Sequence, residues 1–198
     1  MPVERDRQTL RFYDQNAPEY VAGGLQGPSR HLIGFVARLA EGARVLELGC
    51  GGGRDAIEMI AAGLQVTLVD ASPAMAKQAE ARTGLPVRVM GFDEIDARSA
   101  YDGIFANASL LHVPREALSG ILTRIHTALR PGGWHFASYK AGLAEGRDEF
   151  GRFFNYPDVD WLRATYGAAG LRVDTVQEYP GGSYRGVLQP WIGITVQR

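Results

Sequence analysis

The chain has 198 residues, enough for one α/β domain with a substantial core and too few for two comfortable ones. Apolar residues make up 45%, charged residues 22%, and the formal net charge is −1, which argues against a polynucleotide partner and against an acidic solvating tail. With one cysteine, Cys50, an intrachain disulfide is impossible, and no Cys/His cluster has zinc-ligand spacing, so no metal is expected.

The charged start from Met1 to Arg11 lacks the apolar core of a secretory signal, and no apolar run approaches membrane-spanning length. The expectation is a cytoplasmic protein, monomer or homodimer, that meets neither membrane nor nucleic acid.

Two helical segments open the chain, roughly Val3 to Val21 and Ser29 to Ala40, and form a helical cap over residues 1–41 of a single 1–198 domain. Strand and helix patterns alternate through the core, residues 42–198. Val45-Leu46-Glu47-Leu48 reads as a buried strand running into glycines, and Gly53 to Ala62 as a helix carrying Ile57, Met59 and Ile60. Gln65 to Val69 is a second, β-branched strand. Ser72-Pro73 places a cap and an N1 proline at the start of a helix to about Arg82. Val87 to Met90 and Tyr101 to Ala106 are the third and fourth strands.

Pro114 opens a helix with Leu118, Ile121, Leu122, Ile125 and Leu129 on one stripe, and Arg130-Pro131-Gly132-Gly133 stops it. Trp134 to Tyr139 is a fifth strand, Asp160 to Ala169 a helix ended by Gly170, and Val173 to Tyr179 and Trp191 to Val196 two last strands. A loop alone joins those two, so they pair antiparallel; the alternation before them demands crossovers and a parallel sheet. The fold expected is a doubly wound seven-stranded α/β sheet, mostly parallel, with an antiparallel C-terminal edge hairpin. Ligands of such sheets bind beyond the carboxyl ends of the strands, so functional residues should follow Leu48, Val69, Met90, Ala106 and Ser138.

The sharpest chemical pattern is Glu47-Leu48-Gly49-Cys50-Gly51-Gly52-Gly53-Arg54-Asp55, a strand feeding a glycine turn and then a helix. Glycines permit positive φ and let a ligand lie against bare backbone, and the helix start adds unpaired N–H donors. Asp70, at the end of strand two, is placed to accept both hydroxyls of a ribose. These two features fit S-adenosylmethionine or NAD; Gly51 to Ala56 even satisfies a G-x-G-x-x-A form. Glu47 favours the former, because a carboxylate suits an ammonium and repels a pyrophosphate.

Five pieces in order then resemble the class I S-adenosylmethionine-dependent methyltransferases over nearly the full chain: Glu47-Leu48-Gly49-Cys50-Gly51, Val69 to Met75, Tyr101 to Ala106 leading into Leu110-Leu111-His112-Val113, and Leu129-Arg130-Pro131-Gly132-Gly133. The fold implied is Rossmann-like and the cofactor S-adenosyl-L-methionine. By that resemblance Glu47 faces the cofactor's amino end, Gly49, Cys50 and Gly51 line its methionine part, and Asp70 holds the ribose. Ala71 and Met75 pack near the adenine, whose edge meets Phe92 and Asp93; Gly91 stands where many relatives carry an acid. The opening Phe12-Tyr13-Asp14-Gln15-Asn16-Ala17-Pro18-Glu19-Tyr20 is similar to the segment that closes over the cofactor, with Tyr13 and Tyr20 on one helical face.

His112 is the candidate general base, with Tyr20 and Arg185 as further candidates at the reacting end, and Asn107 and Ser109 share the segment after strand four. An insert at about 140–157 should overlie the substrate side. There Lys140 and Arg152, with Arg185, suit an anionic group, and Phe153, Phe154, Tyr156 and Trp191 an apolar wall; Tyr184 in the last hairpin approaches the same mouth. The Phe-Tyr-Asp opening, Ala108 to Val113 and the Lys…Arg-Phe-Phe stretch look most like bacterial proteins grouped with the tellurite-resistance methyltransferases, which implies a small-molecule acceptor such as a thiol or a chalcogen oxyanion. An NAD-dependent oxidoreductase and a non-catalytic cofactor-binding module are the alternatives.

Overall fold

The computed structural model describes residues 6–23 and 27–198. Helix α1 (Arg7–Ala22) begins at Asp6, whose carboxylate accepts the Thr9 N–H at 2.7 Å. That cap sets the start inside the expected one; Val3 itself lies outside the described residues. The second expected helix shrinks to α2 (Leu32–Val36). Its apolar stripe continues through Leu39, but on bonds to the third residue back, Arg38 N–H to Phe35 O and Leu39 N–H to Val36 O, a tighter winding than an α-helix.

Seven strands form one sheet: β1 (Arg44–Leu48), β2 (Gln65–Asp70), β3 (Val87–Val89), β4 (Tyr101–Ala106), β5 (Leu129–Lys140), and, after a separate two-stranded ribbon of β6 (Gly146–Arg147) and β7 (Phe153–Phe154), β8 (Arg172–Gly182) and β9 (Leu188–Gln197). The order is β3-β2-β1-β4-β5-β9-β8, with β1 to β5 parallel and β9 antiparallel to both β5 and β8. This is the doubly wound sheet with an antiparallel edge that the alternation of elements predicts.

Helices α3 (Arg54–Ala61) and α4 (Pro73–Thr83) join α2 on one face; α5 (Arg115–Ala128) and α6 (Val159–Ala168) cover the other. Strand alternation sorts the core accordingly. Val45, Phe105 and Phe136 meet Leu32 and Phe35, whereas Leu46, Ile104 and Ala137 meet Leu118, Ile125 and Leu162. Strand order reverses between β1 and β4, so the ligand crevice of the fold lies past Leu48 and Ala106.

Three boundaries differ from the expectation. β5 starts at Leu129, paired with Tyr101 before a register shift, so Arg130 to Gly133 form an irregular stretch within the strand after α5 has stopped at Ala128. The last two strands run on to Gly182 and back to Leu188; their ends pair Pro180 with Pro190, residues that read as loop in sequence. An edge strand such as β8 admits proline because its outer N–H groups pair with nothing. The β6–β7 ribbon was not foreseen, since two-residue ladders carry no periodicity.

Among the described residues no helix is long and apolar enough to cross a membrane, and no group of three or more His, Cys, Asp or Glu is placed to hold a metal ion.

Candidate functional site

The turn after β1 is built from left-handed glycines, Gly49 (φ +69°), Gly51 (φ +54°) and Gly53 (φ +74°). Its first two N–H groups, Gly49 and Cys50, both donate to Val69 O, at 2.9 and 3.0 Å, which pins the turn to the end of β2. A Cβ on Gly49 would lie 2.5 Å from the Ser109 Cβ, and Ser109 Oγ donates to Leu48 O at 2.6 Å, so the turn is also clamped to the segment after β4. At Gly51, by contrast, a Cβ would meet nothing within 4 Å. That open side of bare backbone is where a ligand has access.

Three carboxylates surround it. Glu47, in the middle of the sheet, is 4% exposed and its Oε2 has no hydrogen-bond partner. Burial, and then the negative charges of Asp55 and Asp70, push its carboxyl well above the usual range. Asp70 accepts the Gly51 N–H at 2.8 Å and the Ser72 N–H at 2.9 Å; burial still outweighs those bonds and raises it to about 6. Asp55 accepts the Ser29 N–H at 2.7 Å and the Asn107 amide at 3.3 Å, and Asn107 Oδ1 in turn accepts the Ser138 hydroxyl at 2.8 Å. The Cys50 thiol is buried, and burial with Glu47 and Asp70 nearby pushes it far up, so it stays protonated and packs against Ala56.

Beyond the ends of β2 and β3 lies a cavity of about 80 Å³ whose lining includes Ala71, Gly91, Phe92 and Asp93, closed from the other side by Thr9 and Leu10 of α1 and by His112. Met75 lies outside that lining, 2% exposed on the buried face of α4. Helix α1 therefore forms a wall. It is fastened by Asp14, which accepts the Ser72 hydroxyl at 2.6 Å and the Ala74 N–H at 3.3 Å, and by Val21, whose methyl sits where a Gly52 side chain would be.

The inward face of α1 meets the insert in an aromatic and basic enclosure. Tyr13 and Tyr20 pack edge to face at 5.3 Å, and Tyr20 stacks on Tyr184 at 5.3 Å. Arg152, 3% exposed, lies over Phe12 and Tyr184, and Asp148 accepts from its Nε and Nη2 at 2.9 and 2.7 Å. His112 Nδ1 donates to Phe153 O at 2.5 Å, which leaves Nε2 unprotonated to accept the Tyr13 hydroxyl at 2.9 Å. Burial, with the Arg152 and Lys140 charges nearby, lowers His112 to about 4. Lys140 is 6% exposed with its ammonium 3.9 Å from the Phe154 ring centre; burial and then Arg152 lower it to about 8.

Two candidates sit differently from the rest. Phe153 contributes backbone, its N–H donating to Thr9 Oγ1 at 2.8 Å and its carbonyl holding His112, while its ring lies 5.9 Å from the Arg147 guanidinium. Arg185 pairs with Glu149 at 2.9 Å on the surface, its side chain 62% exposed, because the tip of the β8–β9 hairpin extends past the enclosure. Residues that sequence reasoning passed over include Asp14, Asp148 and Asn155. Asn155 is fully buried and its amide donates to Leu110 O and Val113 O, at 3.1 and 2.9 Å, holding the turn that carries His112. Asp148 lies four residues before Arg152, a spacing that was readable; the other two act on partners remote in sequence.

Comparison with known proteins bears on the same region. Residues 45–133, from β1 through the turn before Trp134, match the family model of a methyltransferase domain. That match spans somewhat less than half of the chain. It is similar to a ubiquinone biosynthesis O-methyltransferase of Xanthomonas axonopodis pv. citri, 32% identical over 137 residues, 65% of this chain and 55% of that one. The chain thus spans about half the length of the curated relatives it matches. Among solved structures, the chain is similar to a 1,6-didemethyltoxoflavin-N1-methyltransferase of Burkholderia thailandensis, with TM-score 0.82, 22% identity, and coverage of 100% of this chain and 90% of that one. A methyltransferase of Methanosarcina mazei superposes with TM-score 0.75 at 16% identity, over 87% and 98% of the two chains. At these identities the structures establish the shared fold.

Proposed function

We propose that the protein binds S-adenosyl-L-methionine and transfers its methyl group to a small molecule. One observation carries this reading. A buried carboxylate, Glu47, lacks a partner beside an open glycine turn, while Asp70 presents its acid at the neighbouring strand end. The residues fit the cofactor chemically: Glu47 would take the ammonium, Gly49 to Gly51 the methionine stem, Asp70 the ribose hydroxyls, and Ala71, Phe92 and Asp93 the adenine. Bound there, the cofactor supplies a methyl on a sulfonium, already activated for displacement.

The chain's own part is to position and to dry the acceptor. Tyr13, Tyr20 and Tyr184 form the wall, and α1 excludes water from it. His112 is neutral, and its Nε2 is the base available to take a proton from the acceptor through the Tyr13 hydroxyl. Lys140 favours an acceptor that carries or develops negative charge, while Arg152, already paired with Asp148, turns its Nη1 toward the Tyr13 hydroxyl. A thiol or a chalcogen oxyanion meets that description, and so does an acidic hydroxyl or ring nitrogen; the relatives named above bear O- and N-methyltransferase names. We place this activity in the cytoplasm.

Titration calorimetry with S-adenosylhomocysteine and, separately, NADH tests the reading. The first should bind and the second should not; the reverse result assigns the site to a dinucleotide. Because Asp70 stands at about 6 and the ionised form is the better acceptor for hydroxyls, affinity for S-adenosylhomocysteine should rise from pH 5 to pH 7. A protein that binds the cofactor and methylates nothing in a panel of thiols, phenols, N-heterocycles and selenite is a binding module.

A further inference from the structure

We propose that Lys140, with Trp191 and Gln189, forms the acceptor's recognition subsite, and that it takes a small anion presenting two or more oxygen atoms. The inference rests on the methyltransferase reading for its purpose but not for its geometry.

Of the cations facing or flanking the enclosure, Arg152 is neutralised by Asp148, Arg185 by Glu149 and Arg147 by Asp6, and the Arg30 guanidinium lies over the Tyr179 ring, 4.6 Å from its centre. Among the described residues the Lys140 ammonium makes no hydrogen bond or ion pair; the rings of Phe154 and Trp191 face it, 3.9 and 5.9 Å away, and Asp148, already bonded to Arg152, acts on it only through its field. A buried ammonium served by π faces and by a carboxylate that Arg152 already holds is costly unless an anion completes it.

A second, independent observation lies beside it. Lys140 pairs with Trp191 across β5 and β9, so both side chains leave the same face of the sheet, and Gln189 follows on that face two residues along β9. Trp191 Nε1 and Gln189 Nε2 are buried donors without partners. Trp191 is 9% exposed, and its indole lies over bare backbone; a Cβ on Gly181 would come within 2.8 Å of Nε1. Across Tyr179, which stacks on Trp191 with centres 6.4 Å apart, His31 Nε2 and Ser29 Oγ are also buried without partners, and His31 lies 4.7 Å from the Tyr179 ring. Four buried polar atoms around two rings thus lack hydrogen-bond partners, and two of them, on Trp191 and Gln189, are N–H donors. Buried polar groups are almost always paired, so such a concentration marks a missing ligand rather than a packing accident. Donors beside an ammonium call for oxygen acceptors carrying negative charge.

The test is calorimetry of the full chain, with and without S-adenosylhomocysteine, against sodium benzoate, sodium selenite and the uncharged isostere benzamide. The two anions separate a planar carboxylate from a compact oxyanion. At least one should bind and benzamide should not. Lys140→Met should weaken that anion about tenfold or more, and Trp191→Phe, which keeps a ring but not the N–H, about threefold or more. Both variants should retain the wild-type Tm to within a few degrees. Binding of neither anion, equal binding of benzamide, or an anion affinity unchanged in either variant overturns the proposal. Loss of S-adenosylhomocysteine binding in the wild type strikes the methyltransferase reading instead, and the titrations without it still decide the anion subsite.

Discussion

The two ring nitrogens of His112 are committed to different partners, and the partners fix its protonation. A carbonyl can only accept, so Nδ1 carries the proton and Nε2 offers its lone pair to Tyr13. His135 is fixed by the same logic, with Nδ1 donating to Ile104 O, yet it faces the interior of the sheet and has no route to a ligand. Residue type is identical in the two; the partner and the direction differ. His112→Ala should lower kcat on a responsive acceptor about 10²–10⁴-fold, with the KM for S-adenosylmethionine little changed. Tyr13→Phe should reproduce part of that loss by leaving Nε2 unpaired. A wild-type kcat in His112→Ala assigns the imidazole to packing. Glu47 and Asp70 were legible as acids at strand ends, but the absence of a partner for Glu47 Oε2 is a fact of burial alone.

At the scale of elements, α1 is joined to the rest by polar ties at its start and its middle. Asp6 caps it and also pairs with Arg147 of β6, which holds the Asp6 carboxyl at about 2. The sign follows: the depressed carboxyl contributes stability that is complete above the ordinary Asp range and is lost as pH falls toward 2. Half-way along α1, Asp14 caps α4 from outside through Ser72. Asp6→Ala should cost about 0.5–2 kcal/mol of helix stability, read as faster amide exchange across 7–13 and weaker S-adenosylhomocysteine binding. Exchange at the wild-type rate means that Leu10 and Tyr13 hold the helix without its cap. Periodicity announced α1, and Ser72-Pro73 announced α4 to within a residue. Their mutual fastening was not announced, because a side chain reaching 58 positions away leaves no local pattern.

For the whole molecule the two faces of the sheet have different work. The face under α5 and α6 is sealed. Tyr139 and Tyr166 share a hydrogen bond at 2.9 Å, Tyr166 meets His135 Nε2 at 3.3 Å, and all three are fully buried. Tyr166→Phe strands two buried polar groups and should destabilise the protein by about 1–3 kcal/mol, seen as a lower urea midpoint with unchanged slope. A variant as stable as the wild type means that the Tyr139–His135 pair closes on itself. The opposite face keeps the unpaired donors of Trp191 and Gln189, with the Lys140 ammonium beside them, where the strands end.

What the sequence by itself determined is the order and type of the elements, the glycine turn, and the acids on either side of it. Each rests on neighbours in the chain: apolar period, cap, proline, glycine. Only the tertiary structure decided that Arg152 and Arg185 are neutralised while Lys140 is not, that Phe153 serves through its backbone, and that Asn155 holds the turn beneath His112. Charge pairing and burial depend on which segments meet, and segments far apart in sequence meet through the packing of the sheet and its insert, to which local spacing is blind.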